Sequence, residues 1–313
     1  MPTLIIGSIS DRSGKTALSA ALAAKLGTDD SPVAIGKLSA GDSNGDSDAS
    51  LFASLLPESP NVSGSSAEIA SRAGGLKVVE GSSDASTNLA LANETDGIVL
   101  LVARYGEDIV AAAGHYGSRL AGVVINGLPK FRGEDVSNTL NSELEAAGIT
   151  LLGKIPDDRR MLAPKLGQVT EYLDGQFLSG EEKSDRLLDN FLIGGLVLDW
   201  GPFYFASRNN TGVIVRGDRP DVQLAAIQTE TTRALVLTKG VRPVEYVIYE
   251  AAQRDIPIVV VPGNTHDVAE HLENLQPEVD FDHSDKLARM IELVTEHVDT
   301  EALEEQLAQP ATR

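Results

Sequence analysis

The chain has 313 residues, room for two domains or one large α/β domain. Its 26 Lys+Arg against 46 Asp+Glu leave a formal net charge of −20, which excludes a general nucleic-acid surface and disfavours docking on anionic lipid. With no cysteine, disulfides, thiol nucleophiles, iron–sulfur clusters and cysteine-ligated zinc are excluded as well.

The opening MPTLIIGS lacks a basic segment and carries only a short apolar run, so no signal peptide is expected. No stretch approaches the roughly 18 apolar residues of a membrane span, and a cytoplasmic protein is expected. The carboxylates are spread along the chain rather than gathered in a tail. Such a single-sign surface points to a halophilic source, where salt screens the self-repulsion, or else to an ordinary acidic protein.

In chain order, short apolar runs alternate with helical patterns. Strands are predicted at Leu4–Gly7, Val33–Leu38, Leu76–Gly81, Gly97–Ala103, Gly122–Gly127 and Ile149–Pro156. Their consecutive apolar residues suit strands buried on both faces of a parallel sheet. Between them, Thr16–Leu26, Ser47–Leu56, Asp108–Leu120 and Asp135–Ala147 carry apolar residues at three- and four-residue spacing. The alternation predicts a doubly wound, mostly parallel α/β domain over residues 1–176. The polar stretch Asp174–Asp185, a hairpin or a linker, marks the expected boundary.

A smaller α/β domain is predicted over 185–283. Its strands are Leu192–Leu198, Gly212–Arg216, Ala234–Thr238 and Pro257–Val261, and its helices Asp221–Thr229, Val244–Arg254 and His266–Leu275. From Ser284 to Leu307 the apolar spacing predicts one amphipathic helix or two, within a C-terminal segment 284–313. That segment either closes the second domain or packs on a partner subunit, core packing being the expected use.

Gly7-Ser-Ile-Ser-Asp-Arg-Ser-Gly14-Lys15-Thr16 follows a buried strand and opens a helix, the context of a phosphate-binding P-loop. Backbone amides around Gly7, Ser13 and Gly14 would wrap phosphate oxygens, Lys15 would reach the β/γ-phosphates, and the Thr16 hydroxyl would ligate Mg²⁺. The spacing is stretched: the standard pattern wants glycine where Ile9 stands.

Glu80 ends a predicted core strand, at the edge where open α/β sheets bind ligands, and could hold the metal. Asp46 and Asp48 precede a helix, as metal ligands or as an N-cap. Lys37 ends the second strand, facing an anion or simply solvent. Asn126 ends a later strand, where its amide pairs with an adenine edge or forms a turn before Gly127. The histidines are scattered, and no nucleophile-elbow serine, hydrolase triad or zinc site is present.

Together GSISDRSGKT, IGKLSAGD with DSDASLF, KVVEGSS and GVVINGLP resemble the dethiobiotin-synthetase-like P-loop domain, in the version found at the N-terminus of long phosphotransacetylases. There the glycine spacing is also stretched. Downstream, KIPDDRRMLAP, NFLIGGLVLDWGPFYF, VRGDRPDVQLAAIQ with LTKGVRP, and IPIVVVPGNTHDVAEHL resemble the DRTGG domain that follows it.

The resemblance implies ATP and Mg²⁺ as ligands. Lys15 and Thr16 would be phosphate and metal contacts, Asp48 and Glu80 metal-side carboxylates, Lys37 a phosphate or substrate contact, and Asn126 the adenine reader. Gly217, Asp218 and Arg219 match the first half of the second domain's motif. Thr238 and Gly240 match the other half, with Lys239 in place of its middle glycine, a change expected to alter a backbone pocket there. These positions form either a small-ligand cleft or a structural turn.

No acetyl-transfer domain is expected in this chain. The resemblance therefore implies a nucleotide-binding regulatory or sensor protein that works with an acetate-metabolism enzyme and, like related P-loop domains, pairs as a homodimer. The alternative is an ATP-dependent carboxylate–amine ligase of the dethiobiotin or cobyrinate amidation type, with Lys15 and Lys37 as its catalytic lysines and Lys37 stabilising the acyl-phosphate charge.

Overall fold

The computed structural model describes residues 3–28, 31–39, 45–132, 139–195 and 201–308, the side chains of 45–49 excepted. The chain divides into two units, one formed by 1–157 with 281–313 and the other by 158–280.

In the first unit the elements run β1 (Thr3–Ser8), α1 (Lys15–Leu26), β2 (Ala34–Lys37), α2 (Gly45–Leu55), α3 (Ser66–Ser71), β3 (Lys77–Glu80), α4 (Ala85–Thr95), β4 (Ile98–Ala103), α5 (Ile109–Gly114), β5 (Leu120–Leu128), α6 (Asn141–Ala146) and β6 (Leu151–Pro156). The six strands form one parallel sheet in the order β2-β3-β1-β4-β5-β6. Successive residues of a strand face opposite sides. Ile5, Val79, Val99, Leu101, Val123 and Ile125 accordingly pack with Ile69, Leu91, Ile109, Ala113 and Leu144 from α3 to α6. Leu4, Ile6, Val78, Leu100, Val102 and Val124 are buried as well, as a sheet covered on both faces requires.

On the α1 side, the chain returns to complete the cover with α12 (Ser284–His297) and α13 (Thr300–Ala308). The helix α12 packs on α1 and β6, and α13 on β6. Between them the Asp299 amide donates to the Leu152 carbonyl at 2.8 Å, where Gly153 leaves room for the crossing. Leu287, Met290, Leu293, Val294, Val298, Leu303 and Leu307 are all buried, each stabilising by about 1.5–3 kcal/mol when fully removed from water. The amphipathic pattern from Ser284 to Leu307 is thus core packing, but of the first unit rather than of the second. Because α1 lies over β1, β2 and β3, the β6 end of that face is left for the returning helices.

The second unit comprises, in order, α7 (Leu166–Tyr172), β7 (Gln176–Ser179), β8 (Asn190–Gly194), α8 (Gly201–Phe205), β9 (Thr211–Arg216), α9 (Pro220–Ile227), β10 (Thr232–Thr238), α10 (Glu245–Gln253), β11 (Ile258–Val260) and α11 (Thr265–Leu275). Its sheet has the order β7-β11-β10-β9-β8, parallel except for β7, which runs antiparallel to β11. Val213, Val215, Leu235, Leu237 and Ile258 pack with α9 and α10 on one face. Ile214, Ala234, Val236 and Val259 pack with α7 and α11 on the other.

The division between units falls at Asp157/Asp158, ahead of the expected boundary at 176–185. The polar stretch Asp174–Asp185 is neither a linker nor a free hairpin: Gln176–Ser179 is the edge strand β7, and α7 before it, with the C-cap Leu173, supplies Leu166, Val169 and Leu173 to the second core. The apolar spacing predicts no helix at Ala85–Thr95. One forms there because Asp84 caps it, accepting from the Ser86 and Thr87 amides. Part of the strand expected at Leu192–Leu198 lies outside the described residues.

Candidate functional site

The turn from β1 into α1 is built on two left-handed residues, Arg12 (φ 54°) and Gly14 (φ 91°). Gly14 is the N-cap of α1, and no side chain caps that helix. The first-turn amides and the positive end of the helix dipole are therefore offered to whatever lies before Gly14. A Cβ at Gly14 would collide with Nδ2 of Asn126, so only glycine fits. Ser13 Oγ is buried and makes no hydrogen bond.

Lys15 Nζ donates to Ser8 Oγ at 2.7 Å, and Ser8 Oγ donates to the Ser10 carbonyl at 2.8 Å. Burial holds the Lys15 ammonium below the ordinary lysine range, against the opposing pull of Glu80 and Asp11 and with a small further push from Lys37. Lys37 pairs in register with Glu80 across β2 and β3, its Nζ 3.6 Å from Glu80 Oε1. Glu80 is 4% exposed. Lys15, Lys37 and Glu80 are thereby gathered at the carboxyl edge of β2, β3 and β1, with Thr16 next to Lys15 in the first turn of α1. A half-buried ammonium, an uncapped helix start and a carboxylate beside them can hold a polyanion together with a divalent cation. Among the described residues no cluster of three or more His, Asp or Glu forms a metal site from protein groups alone.

Two of the expected site residues also make contacts within the protein, and a third lies partly outside the described residues. Gly7 lies inside β1, where a Cβ would come within 2.8 Å of Asn88 Nδ2 and 3.1 Å of the Tyr116 hydroxyl. Gly7 thus packs closely against the Asn88 and Tyr116 side chains. Asn126 reaches the loop: Nδ2 donates to the Ser13 carbonyl at 2.8 Å, which occupies one of the two amide protons. Asp48 falls in α2, and its side chain lies outside the described residues.

The loop is also held by groups that the motif does not include. Glu107 accepts from the Ser10 hydroxyl at 2.6 Å and from the Arg104 amide at 2.7 Å, and Ser83 Oγ donates to Asp11 Oδ1 at 3.0 Å. Arg104 Nη2 donates to the Arg12 carbonyl. Charged residues directly after the apolar run of β4, in ARYGED, are the signal in the sequence that could have drawn attention to them. Beside the loop, a cleft of about 550 Å³ is lined by Ser8, Ile9, Asp84, Leu101, Asp108 and Tyr116, among others.

In the second unit, Gly217, Asp218, Arg219, Thr238 and Gly240 come together at the carboxyl ends of β9 and β10. Lys239 keeps the left-handed conformation (φ 68°) that the glycine it replaces would favour, followed by Gly240 (φ 65°). A positive φ is thus present at that position with lysine in it. The Lys239 amide donates to the Gly263 carbonyl and the Gly240 amide to the Val261 carbonyl, both at 2.8 Å. Asp218 pairs with Arg216, which holds its carboxyl below the usual range, and Arg219 pairs with Asp221 at 2.8 Å. Gln223, fully buried, donates to the Arg216 and Gly217 carbonyls at 2.7 and 3.0 Å. These bonds account for a tightly held turn.

The family model of the DRTGG domain matches residues 168–275. Phosphate acetyltransferases are similar over much of the chain: that of Nitrosomonas europaea is 23% identical over 71% of this chain and 35% of its own length. That of Pseudomonas putida is 26% identical over 72% and 36%, and that of Nitratidesulfovibrio vulgaris 24% identical over 54% and 25%. The chain thus spans a quarter to about a third of these relatives. Among solved structures, the CBS and DRTGG domains of the regulatory region of Clostridium perfringens pyrophosphatase, complexed with the activator diadenosine tetraphosphate, align with 44% of this chain and 56% of their own. The TM-score is 0.33 at 17% identity, too low to bear on the ligand or the fold. The chain carries a DRTGG domain over 168–275 and is a homologue of the N-terminal region of the phosphotransacetylases.

Proposed function

We propose that the turn Ser8–Thr16 binds ATP with Mg²⁺, and that the chain is a nucleotide-sensing regulatory module acting on an enzyme of acetate metabolism. The observation that carries the proposal is the uncapped start of α1 at a left-handed Gly14, with Lys15, Lys37 and Glu80 gathered beside it. The amides of Gly14, Lys15 and Thr16 and the Lys15 ammonium would hold phosphate oxygens. The Thr16 hydroxyl and Glu80 would hold the Mg²⁺, and Asp48 is the further carboxylate that the resemblance implies. The metal's part is to neutralise the charge of the triphosphate. Similarity to phosphate acetyltransferases and the DRTGG domain support the regulatory role.

Titration calorimetry with Mg·ATP tests the site. Saturable binding by the wild type, lost in Lys15→Ala, is expected; equal heats from both proteins would rule out the loop as the site. Co-purification with an acetyl-transferring enzyme from native lysate, and sedimentation as a homodimer, are the expected results for the wider role.

The cleft beside Ser8 favours a second reading, ATP-dependent activation of a substrate carboxylate for attack by an amine. Phosphate release tells the two apart. A sensor stays near background whatever is added, whereas a ligase accelerates only when its carboxylate and amine are supplied.

A further inference from the structure

Asn126 and Arg104 approach the loop from the carboxyl ends of two neighbouring strands, β5 and β4, and each ends on a backbone carbonyl. Asn126 Nδ2 donates to the Ser13 carbonyl at 2.8 Å, and Arg104 Nη2 donates to the Arg12 carbonyl. The two carbonyls belong to consecutive peptide groups. In a trans peptide, the C=O of one residue and the N–H of the next point to opposite sides of one rigid plane. Holding the Arg12 carbonyl therefore turns the Ser13 N–H the opposite way, and holding the Ser13 carbonyl does the same for the Gly14 N–H.

The backbone at this place is left-handed at Arg12 and Gly14, and for a non-glycine residue such as Arg12 that conformation persists only where surrounding contacts fix it. Glu107 stabilises the arrangement from behind, accepting from the Arg104 amide and from the Ser10 hydroxyl.

We infer that Asn126 and Arg104 are positioning residues: each pins one carbonyl and so aims the next amide at the anion that the loop takes. Asn126 acts on the phosphate end of a nucleotide through the backbone and takes no part in choosing the base. The inference rests on the proposed nucleotide site for its affinity readout, and has a second readout that does not.

The first experiment measures binding of Mg·ATP, Mg·GTP and inorganic tripolyphosphate to wild type and Asn126→Ala by calorimetry. Pinning predicts that all three weaken together by about tenfold, the size of one lost hydrogen bond, with the ATP-to-GTP ratio unchanged. Loss confined to ATP, with tripolyphosphate unaffected, would make Asn126 an adenine reader and overturn the inference. Arg104→Gln keeps N–H donors without the charge and is expected to retain most of the affinity that Arg104→Ala loses. Equal loss in both variants would mean that the charge, not the pin, matters.

The second experiment needs no ligand. Residual dipolar couplings of the Ser13 and Gly14 N–H bonds report the direction of these amides in the free protein. The Gly14 coupling is expected to change in Asn126→Ala and the Ser13 coupling in Arg104→Ala, while couplings inside α1 stay as in wild type. Unchanged couplings would refute the pins. Should wild type bind none of the three anions, the nucleotide site fails while these couplings still decide the pins.

Discussion

Lys37 Nζ lies 3.6 Å from Glu80 Oε1 at the paired ends of β2 and β3, and the same carboxylate acts on Lys15. One nearly buried acid thus stands beside two lysines from separate elements. An anion added there would meet both cations, and a divalent metal would take over the acid.

Glu80→Gln should consequently have two effects. Two ammonium groups lose a compensating charge, and unfolding by denaturant is expected to show a loss of about 1–2 kcal/mol, less than for a wholly buried pair because Lys37 is part exposed. ATP binding should also lose most of its dependence on Mg²⁺. Full Mg²⁺ dependence in the variant would remove Glu80 from the metal site.

Lys15 is stabilising for a ligand and costly for the empty protein. Burial lowers its pKa below the ordinary lysine value of 10.5 that the unfolded chain keeps. Between the two values the unfolded state binds the proton more strongly, so stability rises with pH through that window and the cost is fully present below it. Lys15→Met should therefore melt higher than the empty wild type at pH 7, by about 2 °C. The advantage should shrink as the pH approaches 10.5, and nucleotide-induced stabilisation should vanish in the variant. A variant melting below wild type at pH 7 would contradict the sign.

In the second unit, a Cβ on Gly217 would fall on the Val241 carbonyl oxygen, a backbone atom that cannot swing aside. Gly217→Ala should cost about 1–3 kcal/mol through forced displacement of that loop. Lys239→Gly relieves a left-handed lysine but loosens the unfolded chain, and the two effects nearly cancel, leaving a change within about 1 kcal/mol. Denaturant melts of the two variants make the comparison. A large loss in Lys239→Gly would show that the lysine side chain, not the turn, matters.

The net charge of −20 predicts a melting temperature that rises between low and molar potassium chloride, as screening reduces self-repulsion. A flat or falling curve would speak against a halophilic origin.

Much of the architecture is legible in the sequence because parallel strands buried on both faces leave unbroken apolar runs such as LIIG and IVLLVA, and because a glycine before Lys-Thr marks a strand-to-helix turn. What escapes is tertiary. The pattern of Leu287, Met290, Leu293 and Val294 says that one face is buried but not against which sheet, and only the space left beside α1 decides it. The edge strand β7 is short and has one partner, so Gln176–Ser179 carries no apolar run. Gly7 and Asn126 both occupy motif positions, and beyond the motif Gly7 packs against the Asn88 and Tyr116 side chains while Asn126 donates to the Ser13 carbonyl. Neither relation leaves a trace in local spacing. Arg104 and Glu107 belong to the site for the same reason: the order β1-β4-β5 brings their loop beside Ser10 and Arg12.

Whether the Gly14 turn receives a polyphosphate is tested most directly by a crystal structure grown with Mg²⁺ and a non-hydrolysable ATP analogue. Phosphate oxygens are expected within hydrogen-bond distance of the Gly14, Lys15 and Thr16 amides, with Lys15 Nζ moved from Ser8 Oγ onto phosphate. A nucleotide bound elsewhere, with Lys15 still on Ser8, would contradict the proposed role of the turn.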